Sequence, residues 1–228
     1  SADVAIVEAA ADESGSIPEA AGGARAVVIA DAALPADEIA TYCAPLSGAL
    51  AGVVLNRVPQ RRAAAIKSDF EAKGLRLLGM VPEDRLLASP TLGEVADALK
   101  AERMFFDSNG DRPLDRTLIA SISADPGQGY FTRTQADTVI VRSDKPDLQL
   151  GALNAGAGAM IITGELPLLG YVLNRAEEDG IPLLRTKLET VETVNAIEGL
   201  FGSGPFAGGV DKVRRAAELA GEIDLAVF

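Results

Sequence analysis

Residues 139–167 read VIVRSDKPDLQLGALNAGAGAMIITGELP. Two apolar runs, residues 138–141 and 159–162, have the length and the Val/Ile content of buried strands. Between them, residues 146–155 have the composition of a helix, and Pro146 suits a first helical turn. A strand, a helix and a second strand in this order predict a right-handed βαβ crossover, and hence a parallel sheet.

The same alternation extends in both directions along the chain. We predict further strands at residues 4–7, 26–30, 52–55, 75–80, 118–122 and 181–184. We predict further helices at residues 37–47, 63–73, 168–179, 188–201 and 210–220, and a helix with a capping box formed by Thr91 and Glu94. The fold class is therefore α/β, with parallel sheets that helices cover on both faces.

The segment SNGDRP, residues 108–113, combines turn-forming and charged residues between two such strand–helix series. We place a domain boundary there. The prediction is a first unit at residues 1–107 and a second, small α/β unit at residues 112–228.

Composition excludes several classes of function. The chain has 228 residues with 21 Lys and Arg and 33 Asp and Glu, so its formal net charge is −12, which argues against nucleic-acid and anionic-membrane partners. Histidine is absent from the sequence, which excludes Ser-His and Cys-His nucleophiles and imidazole metal sites. A single cysteine, Cys43, and the lack of a signal-like or membrane-length apolar run predict a cytoplasmic protein.

Three segments of the first unit carry a family resemblance: DVAIVE at residues 3–8, GVVLNRVP at residues 52–59 and LGMVPED at residues 78–84. They resemble the later part of the dethiobiotin synthetase-like P-loop fold. The resemblance implies that Glu8 binds magnesium and that Asn56 and Pro82 lie beside the adenine base of a nucleotide. The sequence contains no GxxxxGK[ST] segment, so we expect this P-loop-like unit to be incomplete.

Polar residues follow three predicted strands of the second unit, where open parallel sheets bind their ligands. The candidate ligand-binding residues are Asp144, Lys145, Asp147, Thr163, Gly164, Thr186, Lys187 and Thr190. Helix-start amides at such loops favour an anion. The same residue types also cap helices, with Asp144 as a good N-cap, and spacing alone leaves both interpretations open.

Residues 139–167, with IPLLRTKLETVETV at residues 181–194 and GGVDKVRRAAELA at residues 208–220, resemble the DRTGG domain. That domain occurs in long bacterial phosphotransacetylases and in regulatory regions of some pyrophosphatases. A P-loop-like unit followed by a DRTGG unit is the order of the phosphotransacetylase N-terminal regulatory region. The resemblance implies a homo-oligomer, an enzyme partner of acetate or acyl metabolism, and an adenine nucleotide, with magnesium, or a similar anionic metabolite as ligand.

The resulting prediction is a non-catalytic protein that senses a small ligand and regulates a partner. One alternative is a fragment of an ATP-dependent enzyme similar to dethiobiotin synthetase or cobyrinate amidase, or of a phosphotransacetylase, whose phosphate loop or catalytic domain lies outside this chain. An acyltransferase domain alone would need roughly 300 further residues, about two domains. A second alternative is a scaffold that only forms oligomers.

Overall fold

The computed structural model describes residues 6–8, 24–46, 48–106, 109–120, 131, 137–204, 206 and 209–224. The chain forms two compact units. Unit 1 comprises Ser1–Asp84 and Ala216–Phe228, and unit 2 comprises Arg85–Arg215. Both units combine helices with a parallel or mostly parallel sheet, as the α/β prediction requires. Within the described ranges, no helix is both long enough and apolar enough to cross a membrane.

Unit 1 contains a three-stranded sheet of order β1-β2-β3 in which both pairings are parallel. The strands are β1 (Ala26–Asp31), β2 (Leu50–Val58) and β3 (Leu77–Pro82). Helices α1 (Ala36–Cys43) and α2 (Ala63–Ala72) form the two crossovers. Gly74 follows α2 with a φ of +70°, the left-handed conformation that commonly ends a helix.

The two faces of this sheet are buried to different extents. One face forms a large apolar cluster with side chains of α1 and α2, including Ile39, Leu55, Ile66 and Phe70. The opposite face forms a smaller cluster, in which the buried residues are Ala51, Val54 and Leu78. Within the described residues, the unit 1 sheet therefore has one well-covered face and one that is covered only in part.

Unit 2 contains a five-stranded sheet of order β4-β8-β7-β6-β5. Its strands are β4 (Glu102–Met104), β5 (Thr117–Ile119), β6 (Thr138–Arg142), β7 (Ala159–Thr163) and β8 (Leu183–Thr186). Its helices are α3 (Arg85–Ala88), α4 (Leu92–Ala98), α5 (Pro146–Asn154), α6 (Gly170–Glu178) and α7 (Thr190–Glu198). Helix α8 (Val210–Ala220) begins in unit 2, and its residues from Ala216 onward belong to unit 1. Strand β4 is antiparallel to β8, and the other pairings are parallel.

Apolar clusters cover both faces of this second sheet. Side chains alternate between the two faces along β7, as they do in any strand. Met160 and Ile162 belong to the cluster that includes Val172 of α6. Ala159 and Ile161 belong to the opposite cluster, which includes α4 and α7 side chains. The continuous apolar run of β7 therefore serves two cores, which explains why it lacks polar alternation.

The strand predicted at residues 4–7 is wrong in its described part. Ile6 and Val7 lie outside any strand and are 94% and 82% exposed, and the rest of that prediction lies outside the described residues. The physical reason is the lack of a partner: among the described strands, β1 pairs only with β2. Apolar composition favours a strand but does not supply the neighbour to which its backbone must bond.

The observed division of the chain also differs from the predicted one. The segment at residues 108–113 lies inside unit 2, because β4 precedes it and pairs with β8. Sequence analysis did not predict β4, which is only three residues long and contains the charged Glu102 and Arg103. A short, charged edge strand has neither the length nor the apolar pattern of a predicted strand.

Candidate functional site

The carboxyl ends of three neighbouring parallel strands meet at one edge of the unit 2 sheet. Arg142, the last residue of β6, pairs with Thr163, the last residue of β7. Thr163 in turn pairs with Thr186, the last residue of β8. The following segments, residues 143–147, 164–166 and 187–190, therefore start side by side, as predicted. We call them the first, second and third site loops.

Two of the predicted ligand-binding residues contact each other directly. The hydroxyl oxygens of Thr163 and Thr190 are 2.9 Å apart, and Thr190 is the first residue of α7. The backbone N–H of Gly164 donates a hydrogen bond to the carbonyl oxygen of Leu188 at 3.0 Å. These bonds join the second and third site loops and position the start of α7 beside the end of β7.

Gly164 occupies a position that disfavours any other residue. Its φ is +93°, a backbone conformation that residues with a side chain rarely adopt. A Cβ atom there would lie 3.0 Å from the Oγ atom of Ser143, in the first site loop. The backbone N–H of Ser143 also donates to the carbonyl oxygen of Thr163 at 2.8 Å. Gly164 thus allows the first and second site loops to approach closely, and a contact to a ligand stays a prediction for this residue.

Asp144 does not cap the helix that follows it. Helix α5 has Lys145 at its N-cap position, with no hydrogen bond from a capping side chain, whereas Pro146 lies in the first turn as predicted. The carboxylate of Asp144 instead accepts two hydrogen bonds from the guanidinium of Arg142, at 2.9 and 2.7 Å. The N-cap prediction is therefore wrong, because a two-point pair with a guanidinium offers this carboxylate stronger partners than a helix amide.

Gln149 is a further residue of this edge, which the sequence analysis did not single out. Its fully buried side chain donates through Nε2 to the carbonyl oxygens of Arg142 at 2.7 Å and Ser143 at 3.2 Å. These two bonds fix the backbone at the start of the first site loop. Its Oε1 atom is buried and has no hydrogen-bond partner among the described residues. The available signal was a glutamine between Leu148 and Leu150, where an amide needs a local partner.

The side chain of Thr186 makes structural contacts within unit 2. Its buried hydroxyl donates to the carbonyl oxygen of Leu99 at 3.2 Å and accepts from the backbone N–H of Leu188 at 3.3 Å. The first bond attaches the end of β8 to the residue that follows α4, and the second fixes the start of the third site loop. The prediction that Thr186 binds a ligand has no support from these contacts, since the hydroxyl is already engaged on both sides.

Lys145 and Lys187 are the cations of the site loops that remain available to a ligand. Lys145 is half-buried and Lys187 is exposed, and within the described part of the chain neither forms an ion pair. Arg142 is occupied by Asp144, and Arg185 contacts Glu102 and the carbonyl oxygen of Glu165. Lys145 precedes the first turn of α5, and Lys187 lies three residues before α7.

Carboxylates also line this edge. Asp147 lies exposed in the first turn of α5, and Glu192 lies in the first turn of α7. The Glu192 carboxylate accepts a hydrogen bond from the backbone N–H of Glu189 at 3.2 Å, completing a capping box. The carboxylates of Asp147 and of the exposed Glu165 have no such partner within the described ranges, so these two carboxylates and the two lysines are the charged groups of the site loops without a structural task.

The predicted base-contacting residues of unit 1 lie near one another at the carboxyl edge of its sheet. Asn56 of β2 pairs with Asp31 of β1, and Pro82 of β3 pairs with Val58 of β2. The Oδ1 atom of Asn56 accepts the backbone N–H of Arg57 at 2.9 Å. The structure thus brings Asn56 and Pro82 to adjacent strand ends, and their contact with a nucleotide base stays a prediction.

An ion pair sits at the same edge of unit 1. Nε of Arg57 donates to Oδ2 of Asp31 at 2.7 Å, and Oδ1 of Asp31 accepts the backbone N–H of Ala33 at 2.8 Å. The bond from Ala33 and the guanidinium of Arg57 together hold the pKa of Asp31 below its usual value, although partial burial opposes them.

The structure does not place Glu8 at a strand end. Glu8 is exposed and lies outside any strand, so the geometry that the resemblance implies for a magnesium ligand is not formed there. Among the residues that the structure describes, no three His, Cys, Asp or Glu side chains are grouped as a metal site would require. The described residues do not form the strand end on which that prediction rests, and magnesium binding by Glu8 stays a prediction.

Lys212 is a buried charged residue of unit 2 that the sequence analysis missed. Its Nζ atom donates a hydrogen bond to the carbonyl oxygen of Ser89, just before α4. Burial lowers the pKa of Lys212, and the nearby carboxylate of Glu94 opposes that shift. Glu94 itself forms the predicted capping box with Thr91. Lys212 therefore attaches the start of α8 to the start of α4, which is a structural role.

Comparison with known families identifies the unit to which the site loops belong. Residues 94–200 match the DRTGG domain family. This range includes β4 to β8 and all three site loops, so the chain carries a DRTGG domain there, as the sequence predicts. The relationships to phosphotransacetylases and to dethiobiotin synthetase-like proteins stay predictions, as do the homo-oligomer and the enzyme partner.

One solved structure similar to this chain comes from Clostridium perfringens. It contains the CBS and DRTGG domains of the regulatory region of a pyrophosphatase, in complex with the activator diadenosine tetraphosphate. The two chains are 10% identical, the alignment covers 87% of each, and the TM-score is 0.44.

Proposed function

We propose that the DRTGG domain of this chain is a regulatory module that binds an anionic metabolite, an adenine nucleotide in the first instance, at the three site loops. The observation that carries the proposal is the pair Lys145 and Lys187, two cations without ion-pair partners among the described residues at one edge of a parallel sheet. Charged side chains that fold stability does not use are the groups most available to a ligand.

Local structure adds to this positive character. The first turns of α5 and α7 both begin at this edge, and helix N-termini attract negative charge, although Pro146 has no N–H and the capping box of Glu189 and Glu192 occupies part of the α7 terminus. The half-buried hydroxyl of Thr190 can donate to a phosphate oxygen while it accepts the hydrogen of the buried Thr163 hydroxyl. Phosphate therefore fits this edge in charge and in hydrogen-bond type.

The carboxylate of Asp147 indicates how the nucleotide binds. A free polyphosphate would be repelled by Asp147, whereas a magnesium–nucleotide complex presents a cation to it. Magnesium usually takes one or two protein carboxylates and completes its coordination with phosphates and waters. We therefore propose the magnesium complex as the bound form, with Asp147 beside the ion and the two lysines beside the phosphates.

Isothermal titration of the 228-residue chain with ATP, ADP, AMP and diadenosine tetraphosphate, each with and without magnesium, tests the proposal. We expect saturable binding that magnesium strengthens. Lys145→Ala and Lys187→Ala should each weaken it by about tenfold, or ~1.4 kcal/mol. Lys67→Ala is the matched control, since Lys67 is an exposed lysine on α2 of unit 1 and loses the same charge.

Two results would contradict the proposal. One is the lack of binding by every nucleotide at millimolar concentration. The other is binding that the two site-loop substitutions and the Lys67→Ala control change equally, which would place the nucleotide elsewhere. All three lysines are at least partly exposed, so unfolding of the variants should not confuse the comparison.

A further inference from the structure

Three large apolar side chains are exposed at the carboxyl edge of the unit 2 sheet. They are Leu166, which is 56% exposed, Leu169, which is 46% exposed, and Tyr171, which is 52% exposed. Leu166 ends the second site loop, and Tyr171 is the second residue of α6, which follows β7 and therefore begins at the same edge. Single exposed apolar residues are common on protein surfaces, but three within six residues are a concentration. We call these three residues the apolar rim.

Hydrogen bonds hold one end of the apolar rim close to the third site loop. A guanidinium nitrogen of Arg185 donates to the carbonyl oxygens of Glu165 at 3.0 Å and Leu166 at 3.5 Å. Arg185 lies on β8, two residues before Lys187. The backbone of the second site loop is therefore attached to the strand that leads directly to Lys187.

The first turn of α6 packs on the same face of the sheet. Val172, which follows Tyr171, is fully buried and belongs to the same apolar cluster as Leu183 of β8. Alternate residues of a strand point to the same face, so Arg185 lies on this face too. Leu166 is thus connected to β8 through Arg185, and Tyr171 through its neighbour Val172.

The charge beside the apolar rim indicates which kind of group binds there. Glu165, next to Leu166, has an exposed carboxylate that lacks a partner in the described part of the chain. This carboxylate repels a further anionic group, whereas leucine and tyrosine side chains offer apolar contacts and a ring face to a neutral, flat group. A nucleotide carries both kinds of group, since its phosphates suit Lys145 and Lys187 and its base is neutral and aromatic.

We propose that the apolar rim binds the base of the nucleotide, which stacks on the ring of Tyr171 and contacts Leu166 and Leu169. This inference rests on the proposed function, because the phosphates at the two lysines bring the base to this edge. Stacking on an aromatic side chain is favourable for any base, since every base has a π face. Tyr171 thereby makes the site a nucleotide site rather than a site for any phosphate.

Comparison of ATP with inorganic tripolyphosphate, each with magnesium, tests this assignment in the 228-residue chain. In isothermal titration, Tyr171→Ala should weaken ATP binding by about tenfold and leave tripolyphosphate binding unchanged, because only ATP carries a base. Tyr171→Phe keeps the ring and should bind ATP as the parent chain does. Tyr42→Ala is the matched control, since Tyr42 is a tyrosine on α1 of unit 1 that is 46% exposed.

Fluorescence gives a direct readout of stacking. The chain contains no tryptophan, so Tyr171→Trp introduces a single indole. ATP should quench the emission of this indole, whereas tripolyphosphate should not. Neither compound should quench the indole that Tyr42→Trp introduces.

The outcomes separate this inference from the proposed function. If neither ATP nor tripolyphosphate binds the parent chain, the proposed function fails and the base assignment fails with it. If both bind, but Tyr171→Ala weakens both equally or neither, or ATP does not quench the indole, only the base assignment is overturned. Light scattering provides one further outcome: a Tyr171→Ala variant that loses self-association and keeps its affinity for ATP would assign the apolar rim to a contact between two copies of the chain and overturn the base assignment.

Discussion

Strand β7 of unit 2 has every residue buried, whereas strand β1 of unit 1 has none. Large apolar clusters cover both faces of the five-stranded sheet, but only one face of the three-stranded sheet has a cluster of comparable size. Apolar burial is the dominant favourable contribution to folding. The comparison therefore indicates that apolar burial stabilises the unit 2 sheet from both faces, whereas the described part of unit 1 draws most of its apolar burial from one face.

The largest loss of stability should come from a substitution in the interior of unit 2. Ile161→Ala removes a fully buried side chain from the middle of β7, and we expect it to lower the free energy of unfolding by about 2–5 kcal/mol. Ile119→Ala is the control, since Ile119 lies on the edge strand β5 of the same sheet and is 37% exposed. Urea denaturation followed by circular dichroism measures both. Equal losses would show that burial within this sheet does not decide its stability.

A smaller effect should come from a glycine of unit 1. A Cβ atom at Gly52 would lie 2.7 Å from both the carbonyl oxygen of Arg76 and Cγ of Leu78, so Gly52→Ala must push β2 away from β3. We expect a loss of about 1–3 kcal/mol, as for other overpacked sites. Gly48→Ala is the control, because no atom lies within 4 Å of the added carbon. If the urea midpoints of the two variants coincide, the close β2–β3 approach does not stabilise unit 1.

The sequence predicts the regular strands and helices of both units well, because buried parallel strands have continuous apolar sequences. The runs at residues 138–141 and 159–162 correspond to β6 and β7, and the helix between them to α5. Residues 4–7 show the limit of this reasoning: the run is equally apolar, but its described residues have no strand partner. Pairing is a long-range property that local composition does not contain.

The candidate site likewise has one aspect that the sequence predicts and one that it does not. The meeting of the three site loops follows from the order of parallel strands, which sequence patterns reveal. The tasks of individual side chains do not follow: Thr186 bonds to Leu99, far away in sequence, and Asp144 bonds to Arg142 instead of capping α5. Competition among several partners for one polar group is decided only in the folded chain.

The smallest expected loss of stability comes from removing a charge at the strand ends of unit 1. The pKa of Asp31 is lowered in the folded chain by the N–H of Ala33 and by Arg57, so the ionised carboxylate stabilises the fold. That stabilisation is fully present above the unfolded-state pKa of about 3.9, and it is lost as the pH falls through the lowered pKa. Because the pair is partly exposed, we expect Asp31→Asn to cost at most ~1 kcal/mol at pH 7.

The dependence on pH distinguishes this charge effect from a general loss of packing. Asparagine keeps the size of the side chain and an oxygen that can accept the N–H of Ala33, but it removes the charge and, with it, the oxygen that accepts from Arg57. The difference in urea midpoint between the parent chain and Asp31→Asn should therefore persist from pH 7 down to about 3.9 and close only as the pH falls further, through the lowered pKa of Asp31. Asp69→Asn, at an exposed position on α2, is the control and should show no comparable change. A difference that persists at low pH would mean that the side chain of Asp31 stabilises unit 1 through its contacts rather than through its charge.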